Sequence, residues 1–302
     1  MRFKRLILLL LTSLSAAVLL VPAEGFLPYF FVENWKLSTD SSNTAVFDDD
    51  SSLVYVLQGA TIRQLLKADF DVAVVDPDDS RLTGKNIASL QKQGKKIIAY
   101  LSIGEAEDYR SYWESDWRTG NPHYIDEENP DWDGNYKVRF WDSRWQDIVY
   151  KRLGELVKTG YDGVYLDVVD AYKYYQKKGF IFAKIEMINF VCSISDRSKT
   201  VKKSFLIIPQ NGEELSMYCI FFKSIDGVGR EDIWFHDDIM IDKASSDLSL
   251  KYLTRIKQSG KFVFAISYAE TDTAKKQFLE FSKKYGFIPF LGNKELDSIE
   301  GF

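Results

Sequence analysis

Two aspartates close an apolar run in GYDGVYLDVVDAYKYY, residues 160–175. Val164 and Leu166 suit a buried strand, so Asp167 at its end and Asp170 just beyond it put carboxylates where burial is costly unless they are paired or used. Similar polar ends recur along the chain: Asp76, Ser102 with Glu105, Gln210 with Asn211, Arg230 with Glu231, and Tyr268. Only His123, His236, Cys192 and Cys219 could add softer metal ligands, and they cannot make a Cys/His cluster. There is no phosphate-cradling Gly-rich motif and no Ser nucleophile elbow. Neither a metal nor a cofactor is expected. Carboxylates without such partners suit acid/base work on a glycosidic bond. One carboxyl stays protonated to release the leaving group, and a second, ionised one attacks the anomeric carbon or activates water.

The elements that must position these groups are short β-rich runs at 53–58, 70–76, 95–104, 161–167, 204–211, 224–231, 261–268 and 286–292. Helical patterns lie between most of them, as in 143–160 and 245–260, with Ser143 and Ser245 as expected N-caps. Gly94, Gly160, Gly260 and Gly286 each stand where a helix should stop before a strand. Apolar strands alternating with helices predict a covered parallel sheet, and eight such units predict a closed (β/α)8 barrel, an α/β fold. In such a barrel the site lies at the C-terminal strand ends. Asp167 shares its parity with Gly163 and Tyr165 and should point into the mouth, whereas Val164 and Leu166 should face the helices.

A long aromatic-rich connection follows the third strand, residues 105–145. It holds Trp113, Trp117, Trp132, Trp141 and Trp145, five of the seven tryptophans. Flat rings on such a loop can stack on sugar faces or form a satellite core. Trp113 and Trp132 are expected to touch ligand; Trp141 and Trp145, four apart at a helix start, are expected to be structural. Arg110 is placed with the substrate-binding residues, although it and Arg139 could instead pair with Glu105, Glu107 or Asp142.

The first residues read as a signal peptide, 1–23, with Arg2, Lys4 and Arg5 before an apolar stretch; an uncleaved anchor is the alternative. Residues 24–52 read as a tether and 53–302 as the catalytic domain. Cleavage would move the formal charge from −5 to −8, because the three basic residues leave with no acidic one. An acidic exported chain fits a neutral or cationic partner, not nucleic acid, and no stable membrane insertion is expected after cleavage. The expected location is secreted, periplasmic or in the cell envelope. Cys192 and Cys219 could pair there or remain thiols.

The motifs YLSIGEAEDYRSYW (100–113), VRFWDSRW (138–145), GYDGVYLDVVDAY (160–172) and IIPQNGEEL (207–215) resemble glycoside hydrolase family 114, the endo-α-1,4-polygalactosaminidase-like barrels. The likeness runs from about residue 53 to 299. It implies a (β/α)8 barrel with an extended loop after strand three and endo-acting, retaining hydrolysis of an α-1,4-linked galactosamine-containing polysaccharide or oligosaccharide. By motif, Asp167 becomes the nucleophile and Glu231 the general acid/base. Asp76, Glu105, Asp170, Asn211 and Tyr268 would line the site, and Ser102, Tyr172 and Gln210 are placed with them. The alternatives are a hydrolase of another α-linked glycan, or a polysaccharide-binding barrel without chemistry. Glu231 locked in a buried pair with Arg230 would favour the binder.

Overall fold

The computed structural model describes residues 46–299. The expected signal segment 1–23 and residues 24–45 of the tether lie outside the described residues. Eight strands form the frame: β1 (Leu53–Val56), β2 (Val72–Val75), β3 (Lys96–Ser102), β4 (Gly163–Asp167), β5 (Leu206–Pro209), β6 (Gly227–Glu231), β7 (Phe262–Ser267) and β8 (Ile288–Leu291). Parallel ladders join β1 through β5 and, separately, β6 through β8. A parallel bridge between Gln210 and Gly229 links β5 to β6, and β8 lies beside β1. The chain is a (β/α)8 barrel.

Side-chain parity separates its two cores. Tyr55, Val74, Tyr100, Tyr165, Phe264 and Ile266 fill the interior, whereas Val54, Val75, Ala99, Val164 and Leu166 pack outward under the helices. Phe47 seals the interior further, its ring edge-on to Phe262 at 4.9 Å. The packed body therefore begins upstream of β1.

A main helix follows each of the first seven strands: α1 (Ile62–Lys67), α2 (Gly84–Gln91), α3 (Ser143–Thr159), α4 (Ala183–Val201), α5 (Cys219–Ser224), α6 (Lys243–Gln258) and α7 (Asp272–Tyr285). Gly160 (φ 106°) and Gly286 (φ 67°) end α3 and α7 in the left-handed region, which turns the chain back into the next strand. The N-caps differ from expectation by a residue or more. Asp142 caps α3 by accepting the Arg144 N–H at 3.0 Å, and Asp242 caps α6 by accepting the Ser245 N–H at 3.0 Å. A carboxylate one position before the helix accepts from its free N–H groups better than a hydroxyl already inside it.

The connection after β3 is not a plain loop. Glu105–Glu107, Asn135–Val138 and Ile125–Glu128 form a three-stranded antiparallel sheet, with 135–138 in the centre. Its aromatic residues pack mainly on one another. Trp113 lies 4.8 Å from Tyr136 and 5.4 Å from Trp117, and buried Trp145 donates its indole N–H to Ile103 O at 2.9 Å. Trp132 stays 57% exposed. Cys192 and Cys219 are both free thiols. Among the described residues no helix is long and apolar enough to cross a membrane.

Candidate active site

Asp167 ends β4, in register with Ser102 on β3, and both of its oxygens are occupied. Tyr100 donates its hydroxyl to Oδ2 at 2.6 Å, and the Val168 N–H turns back onto Oδ1 at 2.7 Å. That turn puts Val168 at φ 57°, ψ 35°, a left-handed conformation that is strained for a β-branched residue. Gly104 lets the turn fit, since a Cβ there would lie 2.1 Å from the Val168 carbonyl oxygen.

Glu231 ends β6, in register with Ile266 on β7. The Tyr268 hydroxyl donates to its Oε1 at 2.5 Å. Gln210 also hydrogen-bonds Glu231, while its own Oε1 accepts from the Tyr55 hydroxyl at 3.1 Å. Burial, and then the charge of Glu231, push the Asp167 carboxyl up to about 7; Tyr100 and the Val168 N–H pull the other way. Burial raises Glu231 as well, against the bonds from Tyr268 and Gln210. The charge of Glu231 thus couples the titration of Asp167 to the protonation of its neighbour.

The Arg230 guanidinium is directed elsewhere. It donates to Glu213 Oε1 at 3.2 Å, to Asn211 Oδ1 at 3.0 Å and to the Glu231 carbonyl oxygen at 2.5 Å. Glu231 therefore keeps a carboxyl with no ion pair to Arg230. Beside it, Arg230, Asp232, Glu213, Glu214, Lys173 and Tyr252 line part of a cavity of about 310 Å³.

The structure brings Asp167, Glu231, Gln210, Asn211 and Tyr268 together and spends other expected site residues on the scaffold. Arg110, its side chain 8% exposed, bonds Asp76 at 2.7 Å, Glu107 at 2.7 Å and Asp78 at 3.2 Å. Asp76 also caps a short helix, Pro77–Ser80, by accepting the Asp78 N–H at 2.8 Å. Asp76 and Arg110 thus tie the insertion to the barrel top instead of offering free groups to a sugar. Glu105 is buried against Lys137 at 3.2 Å and Asn129 at 3.0 Å, and the Ser102 hydroxyl donates to Glu105 O at 2.9 Å. Tyr172 is buried, its hydroxyl on Glu214 at 2.5 Å. Asp170 is partly exposed beside Lys173, and Arg139 pairs with Asp126 at 3.1 Å.

Three interior tyrosines were not read as site residues from the sequence: Tyr55, Tyr100 and Tyr165. The last lies against β6, and a Cβ on Gly229 would stand 1.9 Å from its hydroxyl. Strand parity would have found two of them, because Tyr100 shares a strand face with Ser102 and Tyr165 with Asp167.

The family model for glycoside hydrolase family GH114 matches residues 36–302. The chain belongs to that family. An uncharacterized protein of Methanocaldococcus jannaschii is 32% identical over 324 residues, covering 95% of this chain and 93% of that one. An uncharacterized protein of Deinococcus radiodurans is 36% identical over 233 residues, covering 76% and 75%. Among solved structures, Aspergillus fumigatus Ega3 in complex with galactosamine superposes with a TM-score of 0.67 at 19% identity, covering 84% of this chain and 96% of that one. The glycoside hydrolase domain of PelA from Pseudomonas aeruginosa gives 0.65 at 19% identity, covering 83% and 98%. These two likenesses carry the barrel fold. A glycoside hydrolase of this family acts on carbohydrate.

Proposed function

We propose that this GH114 protein is an exported, endo-acting, retaining hydrolase of α-1,4-linked galactosamine-containing polysaccharide, with Asp167 as nucleophile and Glu231 as general acid/base. The observation that carries the reading is the part-buried Asp167–Glu231 pair at the barrel mouth, whose members each hold neutral hydrogen-bond donors, with the charge of Glu231 raising the Asp167 carboxyl. Such a pair has one high-affinity proton to share. With that proton on Glu231, its charge is removed and Asp167 ionises more readily, which is the productive state. Asp167 then attacks the anomeric carbon as Glu231 gives its proton to the departing glycosidic oxygen. In the second half, Glu231 takes a proton from water as that water displaces Asp167 from the sugar.

The galactosamine in the Ega3 complex and the acidic character of this chain both support an amino-sugar polymer. A cationic sugar would also favour ionisation of the pair. One condition that would have favoured the binding barrel, Glu231 locked to Arg230, is not met, because Arg230 bonds Glu213 and Asn211 instead of the Glu231 carboxyl.

The test is release of new reducing ends from partly deacetylated α-1,4-galactosaminan by wild type, Asp167→Asn and Glu231→Gln. Cleavage by wild type alone is expected. Activity retained at the wild-type level by either variant would remove that residue from the chemistry.

A further inference from the structure

Each reacting carboxylate has a tyrosine of its own. The two come from opposite directions along the barrel axis. Tyr100 stands on β3 opposite Tyr165, one inward-facing position below the Ser102–Asp167 pair, and reaches up to Asp167 Oδ2 at 2.6 Å. Tyr268 follows β7, beyond the Ile266–Glu231 pair, and reaches Glu231 Oε1 at 2.5 Å from the rim. No cation bridges either carboxyl directly among the described residues: Arg110 is held by Glu107, Asp76 and Asp78, and Arg230 by Glu213 and Asn211. Hydrogen bonds from neutral groups therefore do the work that ion pairs do elsewhere in the molecule.

We propose that Tyr100 and Tyr268 are positioning residues that decide how the proton shared by Asp167 and Glu231 is divided, each stabilising the ionised form of its own carboxylate. The proposal rests on the reading of Asp167 and Glu231 as the reacting pair. A hydroxyl that donates to a carboxylate favours the ionised form, so its loss leaves the proton on that partner. Because the two carboxyls repel when both are charged, holding the proton on one makes the other release its own at lower pH. The other groups facing the pair are placed differently. Tyr55 bonds Gln210, and Gln210 bonds Glu231; Val168 gives its N–H to Asp167; Glu107 and Asp232 act only by their charge, and Arg230 by its charge and main-chain contact. The Tyr165 hydroxyl has no hydrogen-bond partner among the described residues. That makes Tyr165 an internal control of the same type in the same core.

The experiment follows the Asp and Glu carboxyl carbons of the full folded chain by NMR across a pH titration, with Asp167 and Glu231 resonances assigned from Asp167→Asn and Glu231→Gln. Tyr100→Phe is expected to raise the Asp167 midpoint by about one pH unit and lower that of Glu231, the size of one lost charge-assisted bond. Tyr268→Phe is expected to do the reverse. Tyr165→Phe should leave both midpoints in place. The proposal is overturned if Tyr100→Phe and Tyr268→Phe leave the midpoints unmoved, or shift both carboxyls in the same direction, as general loosening of the mouth would.

This readout needs no substrate, so it stands even if the polymer is not cleaved. Where cleavage is measured, Tyr100→Phe should raise the acid limb of the pH–rate profile and Tyr268→Phe the alkaline limb. Interchanged limbs would uphold the tyrosines and reverse the nucleophile and acid roles.

Discussion

Replacing Asp167 by Asn should make the protein more stable at neutral pH while abolishing cleavage. The carboxyl is raised from 3.8 in the unfolded chain to about 7 in the fold, so the folded state binds its proton more tightly. For an acid raised in this way, stability is intact below about pH 4 and is lost as pH climbs through about 7. At 1.36 kcal/mol per pH unit the full loss is on the order of 4 kcal/mol. Water reaching the partly open mouth screens some of it, and the Asn amide must reorganise. Its oxygen can keep the Val168 N–H, and its NH₂ can donate to Tyr100, at a cost of about 1 kcal/mol. A net gain of roughly 2 kcal/mol at pH 8 remains, which for a domain of this size is roughly 4–8 °C in melting temperature. Calorimetric melting of wild type and Asp167→Asn between pH 4 and pH 8 measures it. The gain should be near zero or slightly negative at pH 4, grow as pH rises to about 7, and level off toward pH 8. An Asn variant that melts lower than wild type at pH 8, or a difference that does not change with pH, would refute the electrostatic account.

Other substitutions test the scaffold around the pair. Arg110→Ala leaves Glu107 and Asp76 buried without their cation and should cost roughly 3–5 kcal/mol in urea unfolding; a loss under about 1 kcal/mol would mean that water already screens these carboxylates. At position 168 the usual order of Ala over Gly should invert, with Val168→Gly more stable than Val168→Ala by about 1 kcal/mol, because only Gly adopts φ 57° without strain. Gly229→Ala must push Tyr165 aside and should cost roughly 1–3 kcal/mol. Combined with Tyr165→Leu, the loss should be clearly less than additive; strict additivity would show that the two residues do not meet.

The barrel was legible because its signals are local. A β-run such as FDVAVVD, or a Gly before a strand, reports its own conformation without knowledge of its partner. The small sheet in the insertion has no such signal. Glu105-Ala106-Glu107 and Ile125–Glu128 are rich in acids, and they become strands only by pairing with 135–138. The site divides along the same line. Parity along the strand was enough to turn Asp167 inward. The fate of Arg110 was hidden because Asp76 lies 34 residues away, and only the folded chain brings them together. Tyr100 and Tyr165 were overlooked for a different reason: an aromatic residue in an apolar strand looks like core, and here it is core with a hydroxyl at the working end.

The distribution of cations explains how a partly open, acidic mouth can hold a proton near neutral pH. Arg110, Lys137, Lys173 and Arg230 all lie near the strand ends, and each is bonded to a carboxylate other than Asp167 or Glu231. A cation on either member of the pair would hold it ionised at neutral pH and remove it as a proton donor. A pair without donors would keep its proton well above neutrality. Hydroxyls and one main-chain N–H sit between these extremes. They offset part of the burial and leave Asp167 at about 7. The charges around the mouth neutralise the wall and leave Asp167 and Glu231 to neutral donors.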